Sequence, residues 1–109
     1  MKKYEVIWTN YAEFDLENII EYLKLDSIDI AKNIFFEIKQ ECQKLYSFPE
    51  RKRVVPELQQ IGITKYRELI YKRWRIIFKI KNKKVFILLV IDSSRNIEDI
   101  LFQRLIKSK

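Results

Sequence analysis

The stretch Lys65–Ile80, KYRELIYKRWRIIFKI, decides how this chain folds. Large apolar residues alternate with charged ones on both sides of Tyr71–Trp74, which is the pattern of two β-strands joined by a short turn. Arg67, Lys72, Arg73, Arg75 and Lys79 crowd into the stretch, and Glu68 alone opposes them. Strands carrying that much positive charge call for an anionic partner or for acids from elsewhere in the chain. The length of the turn sets which cations meet. Three loop residues place Arg67, Arg75 and Lys79 on one face with Ile77. Two place Arg67 with Phe78 and split the cluster, because a one-residue slip inverts every side chain. The local pattern leaves both open.

Outward from this hairpin, Lys84–Ile91 reads as a further strand, with KNKK as the polar connection. Its run VFILLVI is apolar on both faces, so it is expected to be the most buried strand. Asn96 is placed to cap a short helix with Glu98 and Asp99 in its first turn and Arg104 and Lys107 near its end, in the order the helix dipole favours. Upstream, Tyr4–Thr9 alternates as a first strand. Asn10 with Glu13 has capping-box spacing, and Ala12, Leu16, Ile19, Ile20 and Leu23 recur at helical spacing behind it. After LDSID, with Asp29 as a cap, Ala31, Ile34, Phe35, Ile38, Cys42 and Leu45 form a second stripe that stops before Pro49. Residues 48–65 read as a loop. The order β-α-α-β-β-β-α segregates strands from helices, giving an α+β class with a helical hairpin packed on the sheet.

At 109 residues the chain fits one domain, 1–109, able to fold without a disulfide or a metal. Cys42 is the only cysteine and sits on an apolar stripe, where a small hydrophobe fits. With no histidine, no Gly-rich phosphate loop and a single cysteine, neither a metal site nor a cofactor is expected. No signal peptide and no membrane-spanning run is expected, which points to the cytoplasm. The net charge is +7, unevenly spread. Residues 1–50 hold 6 basic and 10 acidic side chains, whereas residues 51–109 hold 16 and 5. A basic half of that strength favours an anionic partner such as nucleic acid or an acidic protein segment.

Five phrases stand in an order that resembles a known family. They are AEFDLENIIEY (Ala12–Tyr22), FPERKRVVPELQQIGI (Phe48–Ile63), YRELI (Tyr66–Ile70), WRIIFKI (Trp74–Ile80) and VIDSSRNIEDILFQRL (Val90–Leu105). Together they resemble the RelE/ParE toxins of bacterial type II toxin–antitoxin modules, of the plasmid-stabilisation type, over nearly the whole chain. Departures fall at Trp74, Ser93, Ser94 and Asn96, where the pattern prefers Tyr, Gly, Arg and Asp. The resemblance implies a small, curved, mostly antiparallel four-stranded sheet with two N-terminal helices. It also implies a growth inhibitor held inactive by a cognate antitoxin, in a hetero-oligomer whose stoichiometry the sequence does not give.

Two activities are known in such toxins: cleavage of messenger RNA on the ribosome, and poisoning of DNA gyrase without a nuclease site. Cleavage through a 2′-hydroxyl needs a base, cations for the phosphorane and an acid. The resemblance matches Arg67, Arg75 and Arg95 to cationic positions of nuclease relatives, while Leu69 stands where some have lysine. Arginine stabilises charge but cannot serve as the base. Phe102, Leu105 and Lys109 occupy the tail where nuclease members carry a tyrosine or histidine. Glu68, Asp92, Tyr66 and Tyr71 remain as proton carriers, each with a plainer structural role. Arg51, Lys52, Arg53, Lys65, Lys72, Arg73 and Lys79 would form the surface that meets the target or the antitoxin. The balance tips toward a gyrase inhibitor; a ribosome-dependent endoribonuclease is the alternative, and a non-toxic binding module the third possibility. The charge argument requires that the arginines share a surface and are not consumed by internal acids.

Overall fold

The computed structural model describes residues 3–107, and side chains as far as Leu105; the Lys107 side chain and the tail residue Lys109 lie outside the described residues. Four strands form one mixed sheet: β1 (Glu5–Trp8), β2 (Tyr66–Tyr71), β3 (Trp74–Lys81) and β4 (Lys84–Asp92), in the spatial order β1-β4-β3-β2. β2, β3 and β4 are antiparallel neighbours, and β1 lies parallel to β4. Helices α1 (Asn10–Lys24) and α2 (Ile28–Gln43) form the hairpin between β1 and the rest of the sheet. The fold is α+β, in the element order the sequence implied.

The helix stripes pack where their periodicity places them. Leu16 from α1 and Ile34, Ile38 and Cys42 from α2 meet Leu69, Trp74, Ile76, Phe78, Val85, Ile87 and Val90 in one core. Burial pushes the Cys42 thiol up to about 12, so it is inert as a nucleophile. Both N-caps lie one or two residues before the expected ones. Thr9, not Asn10, accepts the Ala12 N–H, while its own hydroxyl donates to the Ile87 carbonyl at 2.7 Å. Ser27, not Asp29, accepts the Ile30 N–H.

The second face of the sheet carries a core of its own. Residues 48–65 are not a plain loop: a 3-10 turn at Pro49–Arg51, an isolated bridge from Val54 to Arg67, and a one-turn helix α3 (Pro56–Gln59) follow one another. Val55 and Leu58 pack there with Tyr66, Ile77, Leu89 and Ile91. Helix α4 (Ile97–Leu101) adds Ile97 and Leu101, and continues as a π-helical turn, Phe102–Lys107. Asn96 caps α4 as expected. The apolar run of β4 serves both cores through a bulge. Ile77 pairs with Leu89 but Phe78 with Ile87, leaving Leu88 as the extra residue. Val85 and Ile87 therefore face the helical hairpin, Leu89 and Ile91 the other side. β3, and not β4 as its apolar run suggests, is the most continuously buried strand: five consecutive buried residues start at Trp74, whereas the bulge limits β4 to runs of three at most.

Asp15 fastens the C-terminal segment to this scaffold. Its carboxylate accepts the Val90 N–H at 3.1 Å and both terminal nitrogens of Arg104, at 3.2 and 3.0 Å. Asp15→Ala leaves that N–H without its acceptor and Arg104 with only the Leu88 carbonyl, which its Nη1 reaches at 3.2 Å, a loss of about 2 kcal/mol. Faster hydrogen exchange across residues 97–105, beyond that of the sheet, is the expected signature; uniform exchange would show that the segment is held by its apolar contacts alone.

Candidate functional site

Tyr71 pairs with Trp74, so the β2–β3 turn has two loop residues, Lys72 and Arg73. Lys72 takes a positive φ of 52° to close it. This settles the register in favour of the split arrangement: Arg67 pairs with Phe78 and Arg75 with Ile70. Arg67 therefore belongs to the helical-hairpin face, and Arg75 to the α3 face together with Glu68, Ile77 and Lys79.

Arg75 is buried, at 8 % exposed, and each of its three side-chain nitrogens donates to a carboxylate. Its Nε donates to Glu68 Oε1 at 2.7 Å, and its Nη1 and Nη2 donate to the two Glu57 oxygens at 3.0 and 2.8 Å. Glu68, 2 % exposed, also accepts from Arg53 Nε at 2.5 Å. The bidentate bond from Arg75 holds the Glu57 carboxyl below the ordinary carboxylate range, and the two carboxylates raise the Arg75 guanidinium further. No buried side-chain polar atom among the described residues lacks a partner. The four-membered network joins α3 and the bridging segment to the middle of the sheet.

The other expected site residues are dispersed. Arg67 donates to the Lys52 carbonyl at 2.6 Å on the edge of β2. Arg73 pairs with Asp92 at 2.7 Å, and the Asp92 carboxyl is held low first by the Ser94 N–H and then by Arg73. Lys72 bonds Glu37 at 3.2 Å, and Tyr71 donates to the same carboxylate. That hydrogen bond raises the Tyr71 phenol and lowers Glu37. Arg51 stacks on the Phe48 ring at 4.0 Å, and Lys65 lies 5.4 Å from the Tyr66 ring. The fold thus does not bring Arg67, Arg75 and Arg95 into one cationic set. Glu57, which the sequence reading did not single out, is the missing partner.

Arg95 stands elsewhere, exposed, and its side chain makes no ion pair among the described residues. It lines a cavity of about 400 Å³ between α1 and the end of the sheet, with Asn18, Ile19, Tyr22, Leu23, Arg73, Trp74 and Asp92. A second hollow of about 260 Å³, reaching to Asp15 and Arg104, shares Asn18, Ile19, Asp92 and Arg95 with it, so the two form one groove along α1. Tyr22 is 70 % exposed at its wall. An exposed ring, an apolar floor and an uncommitted guanidinium suit an extended or helical segment with an apolar anchor and an acid. Among the described residues no cluster of potential metal ligands occurs.

The sequence model of the family described as "ParE toxin of type II toxin-antitoxin system, parDE" matches residues 6–97. Among curated proteins no sequence matches significantly. Among solved structures, a chain of the chromosomal ParDE system from P. aeruginosa superposes with a TM-score of 0.69 at 20 % identity, covering 84 % of this chain and 98 % of its own. A chain of the RelBE2 toxin–antitoxin complex from Mycobacterium tuberculosis gives 0.56 at 20 % identity, covering 87 % and 97 %. At that identity these likenesses establish the fold.

Proposed function

The chain belongs to the ParE toxin family of type II toxin–antitoxin systems, and we propose that it arrests growth by inhibiting DNA gyrase and not by cutting RNA. The observation that carries this choice is the fate of Arg75, which is consumed by Glu57 and Glu68 and faces away from Arg67. A buried guanidinium whose three nitrogens each donate to a carboxylate is neutralised by its own chain and poorly placed to serve a phosphorane. The absence of histidine points the same way, because no side chain then titrates unaided near neutrality. The partner in the resting state is a cognate antitoxin. Its acidic, apolar-anchored segment fits the groove of Ile19, Tyr22, Leu23, Trp74 and Arg95. No helix of the described residues is long and apolar enough to cross a membrane, which is compatible with action in the cytoplasm.

Induction of the toxin alone in bacteria, with transcript ends and plasmid topology followed together, tests the proposal. Gyrase-dependent DNA breaks or relaxation with unchanged transcript ends are expected. Codon-positioned cuts without DNA damage would replace it with the nuclease, and normal growth despite soluble protein would leave a binding module.

A further inference from the structure

The cations divide according to the end of the sheet they occupy. At the β2–β3 turn, Lys72 is matched by Glu37 and Arg73 by Asp92. At the β3–β4 turn, Lys79, Lys81, Lys83 and Lys84 have no ion pair among the described residues, and the last three are exposed. Lys81 and Lys84 are register partners, so two like charges stand directly opposite each other, which destabilises a hairpin. Asn82 and Lys83 both take positive φ, 52° and 61°. A two-residue turn of that kind favours glycine at its second position, yet lysine stands there. The nearest acid to Lys84 by register is Glu5, its partner in the parallel pair. Lys79 shares a face with Glu68, which is taken by Arg53 and Arg75. Neither acid makes an ion pair with a lysine of the tip. Neither local neutralisation nor turn stability accounts for these four lysines.

We propose that this hairpin tip, Lys79, Lys81, Lys83 and Lys84, docks on the phosphate backbone of duplex DNA. Lysines are compact point charges on flexible stems, suited to phosphates and lacking the rigid fork that reads base edges or grips carboxylates bidentately. No large hydrophobic side chain of the hairpin itself is exposed, and the half-exposed Tyr46 beside β1 is a single ring, so the tip offers no run of rings on which successive single-stranded bases could stack. An acidic peptide that folds on binding would find no exposed apolar side chain on the hairpin, and only the one half-exposed ring of Tyr46 beside it, to offset its ordering cost. The contact is therefore sequence-independent and electrostatic. The choice of DNA over another duplex rests on the gyrase reading; the uncompensated lysines do not.

Anisotropy of a short labelled DNA duplex titrated with the whole protein over a salt series provides the test. Lys81→Gln, Lys83→Gln and Lys84→Gln together should weaken binding at least tenfold and flatten the log K against log salt slope by about 3, one condensed counterion per contact. Lys24→Gln, Lys32→Gln and Lys44→Gln together remove equal charge from the helices and should leave the slope unchanged. Equal effects of the two triple variants would overturn the site, as would poly-glutamate binding tighter than the duplex through the same lysines. An RNA duplex bound more tightly than DNA would overturn the choice of DNA. Gyrase inhibition that persists while duplex binding ignores the tip lysines removes this inference alone. Tip-dependent duplex binding with no effect on gyrase removes the gyrase reading alone.

Discussion

Arg75→Ala should lower the unfolding free energy by about 3–5 kcal/mol, the usual effect of deleting one partner of a buried ion pair. Glu68 has a side chain that is 0 % exposed, and without Arg75 it keeps Arg53 as its single cation. Arg53 is itself 59 % exposed, so its charge is shared with water and compensates weakly. Glu57 loses both donors but is 26 % exposed and can hydrate. The penalty therefore concentrates on Glu68. Urea unfolding would show it as a lower midpoint with unchanged slope. A loss under about 1 kcal/mol would mean that water reaches Glu68 readily and that the network is a surface feature. The same measurement separates scaffold from chemistry, since a phosphate-stabilising arginine in an open site could be removed at little cost to folding.

The sequence made the larger elements legible because their signals are periodic and long. The α1 and α2 stripes, the three consecutive strands and the Asn96 cap all fall where expected. What escaped was whatever depends on contacts distant in the chain. Thr9 caps α1 because its hydroxyl is also held by the Ile87 carbonyl, 78 positions away. Helix α3 spans four residues, too few to show a period, yet it delivers Glu57 to Arg75 and Leu58 to the second core. The turn register was ambiguous because Lys72 accepts a left-handed conformation that glycine would have advertised. The basic character of Lys65–Ile80 is plain in the sequence, but which of its cations are neutralised is not. Lys72, Arg73 and Arg75 are matched by acids, whereas Lys65, Arg67 and Lys79 make no ion pair among the described residues, and Lys79 leads into the unmatched lysines of the following turn. Counting charges along a chain cannot reveal this, because pairing is decided by which strands adjoin.

A variant that replaces the buried pair by apolar side chains of similar size, Glu68→Leu with Arg75→Met, should fold with a stability close to that of the parent and still arrest growth. Removing both partners leaves no orphaned charge in the core, and such exchanges are often neutral or stabilising by about 1–4 kcal/mol. The neighbours favour this outcome: Ile77 and Leu89 already line the same face, while Glu57 and Arg53 reach solvent. The two readings of Arg75 then diverge sharply. If the arginine only ties α3 to the sheet, growth arrest survives in the double variant and fails in Arg75→Ala in proportion to the protein that unfolds. If it stabilises a phosphorane, both variants lose cleavage by about a hundredfold or more, as removal of a charge-stabilising donor does elsewhere. Growth arrest measured at matched soluble protein levels decides between them. Loss of toxicity in a well-folded double variant would return Arg75 to the chemistry, and with it the nuclease.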